Sequence, residues 1–192
     1  MIINKSTIKR IKLIQNYLYD HKLDGFMQPR ADSYLGEYVP KSDARLEWVS
    51  GFTGSAGVIL ILREQAFLFV DSRYIIQAKN ETKNTGIKVI LSSKLSLEKY
   101  ILKKIKKVKK IAFDPWLHSY FYIKSVLNIE NKINTKFIPL KENPIDLIWT
   151  NNRDTPPNSQ IKIHPLKYAG ISSGNKIKNL SIYLKKLHAD AY

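Results

Sequence analysis

The residues best equipped for chemistry sit in one short cluster, Asp71-Ser72-Arg73-Tyr74, directly after the apolar run 66–70. Arginine is always charged and can donate a bidentate pair to a carboxylate or carbonyl. A position just past a strand is also where open α/β sheets collect ligands. If Asp71 caps a helix starting near Ser72, Arg73 falls in its first turn, where the helix dipole disfavours a cation by about 0.3–1 kcal/mol. A local cost without local reward points to another use and makes Arg73 the candidate substrate-binding residue. The competing reading is an arginine paired with Asp71 or Glu47, or simply hydrated.

The remaining reactive side chains offer less. Residues 51–57 hold three glycines, Gly51, Gly54 and Gly57, a density that suits a sharp turn or a close backbone approach. A phosphate cradle of the G-x-x-x-x-G-K-[ST] type is not formed, because Val58 follows Gly57. Backbone packing is the better reading. His21, His118, His164 and His188 are far apart and lack ligand-like spacing, so they read as surface or packing residues. Neither Ser50 nor Ser55 sits in a G-x-S-x-G elbow. Zero cysteines exclude disulfides, thiolate metal sites and cysteine nucleophiles. Trp48, Trp116 and Trp149 read as core or interface anchors rather than a stacking platform. No catalytic residue and no metal ligand set is assigned.

The elements that must position Arg73 alternate. Ile8, Ile11, Ile14 and Leu18 make a helical stripe over 6–22, with Ser6 or Thr7 available as a cap. Gly25-Phe26-Met27 begins a strand ended by Pro29, and residues 30–42 are polar and irregular. A short helix over 43–49, with Asp43 as N-cap, leads into the glycine-rich stretch. Runs 58–62 and 66–70 form a hairpin across Arg63-Glu64-Gln65, followed by a helix to about Glu81. Residues 87–91 form a strand, and Ser96 caps a helix to about Lys104. Residues 110–113 form a strand ended by Asp114-Pro115. A helix over 119–129 places Tyr122, Val126 and Ile129 on one side. Residues 136–138 give a last strand and 145–149 a last short helix. Strands alternating with helices imply an α/β fold, and the hairpin makes the sheet mixed.

A chain of 192 residues suits one domain plus an appendage. The N-terminus intersperses lysine and arginine with no uninterrupted apolar region for a signal peptide, and no run approaches the roughly 18 apolar residues of a membrane span. The expected location is the cytoplasm. The net charge of +16 favours polyanions in general. Its densest cluster is 103–110, where Ile105 and Val108 alternate with six lysines. That pattern also fits a solvated helix end, favoured by the dipole. No glycine-rich aromatic RNA-binding signature accompanies it, so a stand-alone basic module for nucleic acid or another polyanion is the secondary reading.

Several segments in order carry a resemblance: Tyr34-Leu35-Gly36-Glu37-Tyr38-Val39-Pro40, Trp48-Val49-Ser50-Gly51-Phe52-Thr53-Gly54-Ser55-Ala56-Gly57, Phe69-Val70-Asp71-Ser72-Arg73-Tyr74, Ala112-Phe113-Asp114-Pro115, the stretch 139–149, and Tyr168-Ala169-Gly170-Ile171-Ser172. Together they resemble the N-terminal region of Xaa-Pro aminopeptidases in the creatinase/prolidase superfamily, in the three-domain form. The resemblance implies a ribonuclease-H-like N-terminal domain over 1–150, a linker over 151–171, and the first helix and strand start of a truncated second domain over 172–192. In such enzymes the arginine of the D-x-R-Y segment contacts peptide substrate. It also implies a parent enzyme that hydrolyses the N-terminal Xaa-Pro bond with a divalent metal pair, manganese the expected ion, held by a C-terminal domain whose motifs this sequence lacks. The implied partners are those missing domains, a second copy in a homodimer, and a peptide with proline at its second position. The chain is therefore expected to be a fragment, inactive alone.

Overall fold

The computed structural model describes residues 5–105, 108–130 and 132–191. Among them, strands β1 (Gly25–Pro29), β2 (Val58–Leu62), β3 (Ala66–Val70), β4 (Ile87–Leu91), β5 (Lys110–Phe113) and β6 (Lys136–Pro139) form one sheet in the order β4-β3-β2-β1-β5-β6. The hairpin expected at 58–70 is present, with Val58 opposite Phe69 and Ile61 opposite Ala66. β2 runs antiparallel to both neighbours, and every other pairing is parallel. The sheet is therefore mixed, as the sequence predicts. Five strand ends and the start of β2 consequently lie along one rim, the carboxyl edge.

Both faces of the sheet are covered, which explains apolar runs without alternation. On one face Phe26, Ile59, Ile61, Leu68 and Val70 pack with Ile14 and Leu18 of α1 (Lys5–Asp20), with Leu46 and Val49 of α2 (Arg45–Ser50), and with Ile145 of α6 (Pro144–Ile148). On the other face Met27, Leu60, Phe67, Phe113 and Phe137 meet Leu97 and Ile101 of α4 (Leu97–Lys104) and Val126 of α5 (Tyr120–Glu130). Helix α3 (Ile75–Glu81) follows β3. Trp48 and Trp149 stack with ring centroids 5.5 Å apart, an anchoring role, whereas Trp116 is 73% exposed.

Caps explain several helix starts. Ser96 accepts from Lys99 N–H, as expected, and Asn143 accepts from Ile145 N–H ahead of Pro144. Two expected caps are not made. Asp43 ends a 3₁₀ turn, Lys41–Asp43, and α2 starts after Ala44 without a side-chain cap. The Asp43 carboxylate instead lies 2.9 Å from Arg45 Nη1, a charge-assisted partner stronger than a neutral backbone donor. Asp71 does not cap α3 either. That helix begins at Ile75 with Tyr74 as its uncapped N-cap position.

The chain divides into two compact units, 1–157 and 158–192. The second contains α7 (Leu166–Ala169) and α8 (Ser173–Lys186). Ser172 caps α8 by accepting from Asn175 N–H, and Ile177, Leu180 and Tyr183 are exposed. Residues 188–191 form no strand, and Tyr192 lies outside the described residues. Lys106 and Lys107 of the lysine cluster also lie outside them.

Candidate functional site

The carboxyl edge is assembled from the glycine-rich loop before β2 and the turns after β1, β3, β5 and β6. Gly51 takes φ +76°, the left-handed conformation that favours glycine, and closes α2 by donating to Glu47 O. A Cβ on Gly54 would sit 2.7 Å from Phe52 Cε2 and 2.8 Å from Tyr74 Cδ1. One on Gly57 would lie 3.2 Å from Phe69 O. The glycines thus admit aromatic rings and a neighbouring strand, as the packing reading expects. Thr53 donates its N–H and hydroxyl to Glu81 of α3. Ser55 Oγ lies 2.6 Å from Tyr74 OH. The loop is tied to the turn that carries Arg73.

Arg73 lies ahead of α3, not in its first turn, so the dipole cost drawn from the sequence does not arise. Its N–H donates to Asp71 Oδ1 at 2.9 Å, and its Nη2 donates to Asp71 Oδ2 at 2.7 Å. The guanidinium also lies 5.2 Å from the Tyr74 ring centroid. These hydrogen bonds hold the Asp71 carboxyl below its usual range and raise Arg73. Glu47, the other partner considered, pairs with Lys41. With 69% of its side chain exposed, Arg73 retains donors facing solvent. Asp71 fixes the backbone and the guanidinium together, an arrangement suited to presenting a charged donor to an incoming acceptor.

A second guanidinium on this edge escaped sequence reasoning. Arg30 follows β1, and its N–H donates to Gly57 O while Nε donates to Gly54 O. Its Nη1 is buried without a hydrogen-bond partner among the described residues. Beyond it, buried Asn143 donates to Gln28 Oε1 at 2.9 Å and to Asp114 Oδ2 at 3.1 Å. This network joins the ends of β1, β5 and β6. Arg45 donates to both oxygens of Asp146 at 2.8 and 2.9 Å. Burial alone would lower Arg45, but Asp146 and Asp43 more than reverse this, and it is raised. Arg153 reaches the same Asp146 carboxylate at 2.8 Å. Arg45, Asp146 and Asn143 border a cleft of about 390 Å³ that Asp114, Trp116 and Glu142 also line.

The half-buried His118 stacks on Tyr122, its Nε2 has no hydrogen-bond partner among the described residues, and burial pushes its pKa down to about 4. Among the described residues no group of three or more His, Cys, Asp or Glu is placed to hold a metal ion, so the residues here do not fit a metal pair and no step is assigned to one. No described helix is long and apolar enough to cross a membrane.

The creatinase/prolidase N-terminal domain model matches residues 10–148, which span the whole sheet and its carboxyl edge. The chain belongs to that family. A probable Xaa-Pro aminopeptidase P of Aspergillus flavus is 29% identical over 177 residues, which cover 91% of this chain and 27% of the relative. One from Paracoccidioides lutzii is 29% identical over 182 residues, 94% of this chain and 30% of the relative. The chain thus spans less than a third of these relatives. Among solved structures, an X-prolyl aminopeptidase from Caenorhabditis elegans, described as cytosolic with a di-nuclear active site, superposes with a TM-score of 0.78 at 18% identity. It covers 97% of this chain and 32% of its own. The N-terminal domain of the cytoplasmic peptidase PepQ from Mycobacterium tuberculosis gives 0.57 at 17% identity, covering 73% of this chain and 98% of its own. At those identities the likeness is one of fold.

Proposed function

We propose that this creatinase/prolidase N-terminal domain acts as the substrate-positioning part of an Xaa-Pro aminopeptidase and takes no part in bond cleavage. The single observation that carries the reading is the exposed Arg73 guanidinium on the carboxyl edge, held by Asp71 and lying against the Tyr74 ring. Its acceptor is a carbonyl or carboxylate of a peptide with proline at the second position. The parent reaction is hydrolysis of the bond before that proline, supported by relatives named as Xaa-Pro aminopeptidases. The divalent metal pair, with manganese the expected ion, belongs to a separate catalytic domain, and a homodimer in the cytoplasm completes the reading. Residues 151–171 act as linker, and 172–192 begin the next domain. The exposed apolar stripe of α8 supports that last assignment.

The test is hydrolysis of an Xaa-Pro peptide by the purified 192-residue chain with added manganese. The expected result is no turnover above the metal alone. Turnover that chelation abolishes and fresh manganese restores would overturn the assignment.

A further inference from the structure

The outer strands of the sheet, β4 and β6, each pair with a described strand on one side only. An open edge is a row of unpaired N–H and C=O groups that can template another strand. The two edges differ. In β6, Lys136 N–H turns inward to Lys109 O, and just beyond the strand Leu140 N–H turns inward to Phe113 O. Parallel pairing uses alternate residues, so Phe137 and Pro139 face outward. Phe137 N–H donates to Glu130 Oε1 at 2.6 Å, and Pro139 has no N–H to offer. Neither outward position of β6 has a free donor.

Strand β4, Ile87-Lys88-Val89-Ile90-Leu91, has no such block and contains no proline. Its one charged side chain, Lys88, lies 5.6 Å from the Phe67 ring centroid on the neighbouring strand. Ser92 N–H donates inward to Val70 O at 2.8 Å. By alternation Lys88 and Ile90 bond to β3, and Ile87, Val89 and Leu91 turn their backbone groups outward. Local structure satisfies one group at each end. Ile87 N–H donates to Thr85 Oγ1 at 3.3 Å, and Leu91 O accepts from Lys94 and Leu95 N–H, each at 3.1 Å. Ile87 O, Val89 N–H, Val89 O and Leu91 N–H are left without a hydrogen bond among the described residues.

These four groups complement themselves. In an antiparallel pair about a two-fold axis at Val89, each Val89 exchanges both bonds with its counterpart, and Leu91 N–H meets Ile87 O of the second copy. The satisfied groups, Ile87 N–H and Leu91 O, then face only each other. Lys88 falls opposite Ile90, so no like charges are set directly opposite. Val89 and Leu91, both half-buried, gain apolar neighbours on one face.

We propose that β4 is the contact strand for a second copy of this chain, pairing antiparallel about Val89 so that one sheet continues through both copies. Such an isologous contact is closed, and the blocked β6 edges end the sheet at a dimer. The proposal rests on the homodimer reading above and supplies its surface; it is independent of Arg73.

Sedimentation of the full chain over a range of concentrations reads the association, and a reversible dimer is expected. Val89→Pro removes only an outward N–H, a change that an edge strand accepts. It is expected to raise the dissociation constant at least about tenfold, because the two-fold axis doubles the lost hydrogen bond. Cysteine pairs decide the matter even where that variant folds poorly, since the chain has no native cysteine. Lys88→Cys/Ile90→Cys sets cysteines opposite one another with Cα atoms about 4.5 Å apart, within disulfide reach. It is expected to give a covalent dimer on oxidation, and Lys136→Cys/Ile138→Cys on β6 to give none. A dimer that Val89→Pro leaves unchanged, or equal crosslinking through β6, would refute this edge and leave the homodimer standing. A chain that stays monomeric at every concentration would remove both. Uptake of an extended apolar peptide by a monomeric chain would give the edge to a foreign strand and overturn the proposal.

Discussion

Replacing Gly54 by alanine tests the loop that holds the Arg73 turn. The new methyl would approach Phe52 Cε2 to 2.7 Å and Tyr74 Cδ1 to 2.8 Å, whereas ordinary contact begins at 3.4 Å. Phe52 Cζ lies nearer still, so the Phe52 ring must move by more than about 0.7 Å and the Tyr74 ring by about 0.6 Å. Phe52 is fully buried and has little room to yield. Overpacking of this kind costs about 1–3 kcal/mol. A cost near 2 kcal/mol lowers the midpoint of a unit of this size by about 4–8 °C. Thermal melts followed by circular dichroism read this directly. Gly174→Ala, whose new methyl meets nothing within 4 Å, is the control and leaves the main transition in place. Adding Phe52→Leu makes room, so the Gly54→Ala cost should shrink in the double variant by at least about 0.5 kcal/mol, as coupled neighbours do. A Gly54→Ala melt that matches the parent, or strictly additive costs, would refute packing as the reason for that glycine.

Two further outcomes follow from buried polar groups. His118 titrates near 4 when folded and near 6.5 otherwise, so protons bind the unfolded chain first as the pH drops. Its contribution to stability is complete above pH 6.5, declines between 6.5 and 4, and is level below. The slope is at most about 1.4 kcal/mol per pH unit. Urea melts across that range should show the decline, and His118→Phe, which keeps a ring on Tyr122, should flatten it; equal slopes would contradict the assignment. Asn143→Leu strands Gln28 Oε1 and removes the cap of α6, so it should lower stability by about 2–3 kcal/mol. A urea midpoint equal to the parent's would show that the network does not secure the strand ends.

Much of the fold was legible because it is local. Short apolar runs, of five residues at 58–62 and 66–70 and as few as two at 26–27 and 137–138, bounded by glycine, proline or charge, located all six described strands, and the Ser96 cap was readable from its spacing. Strand order was not, since nothing in residues 25–29 says that β1 lies between β2 and β5. The candidate site divided the same way. The sequence singled out Arg73 and tied the glycines to packing, but the grounds offered for Arg73 did not survive. Its local reward exists, in Asp71, and its place is a turn rather than a helix. The missed caps differ in cause: at Asp43 the Arg45 guanidinium claims the carboxylate, whereas Asp71 does accept a backbone N–H, that of Arg73, but in a turn that ends before α3 begins. Arg30, Gln28, Asn143 and the Arg45–Asp146 pair escaped notice because their joining partners lie 24 to 115 positions away. Only Asn143-Pro144, a capping residue before a proline, gave a local signal.

The most direct measurement of the central claim is kcat/KM for an Xaa-Pro peptide in an enzyme that joins this domain to its catalytic domain, compared with the same enzyme carrying Arg73→Ala. Loss of a charged hydrogen bond made in the transition state lowers kcat/KM about tenfold or more, with the melting midpoint of the exposed-site variant unchanged. An Arg73→Ala enzyme that turns over the peptide at the parent's kcat/KM would contradict the claim that this edge positions substrate.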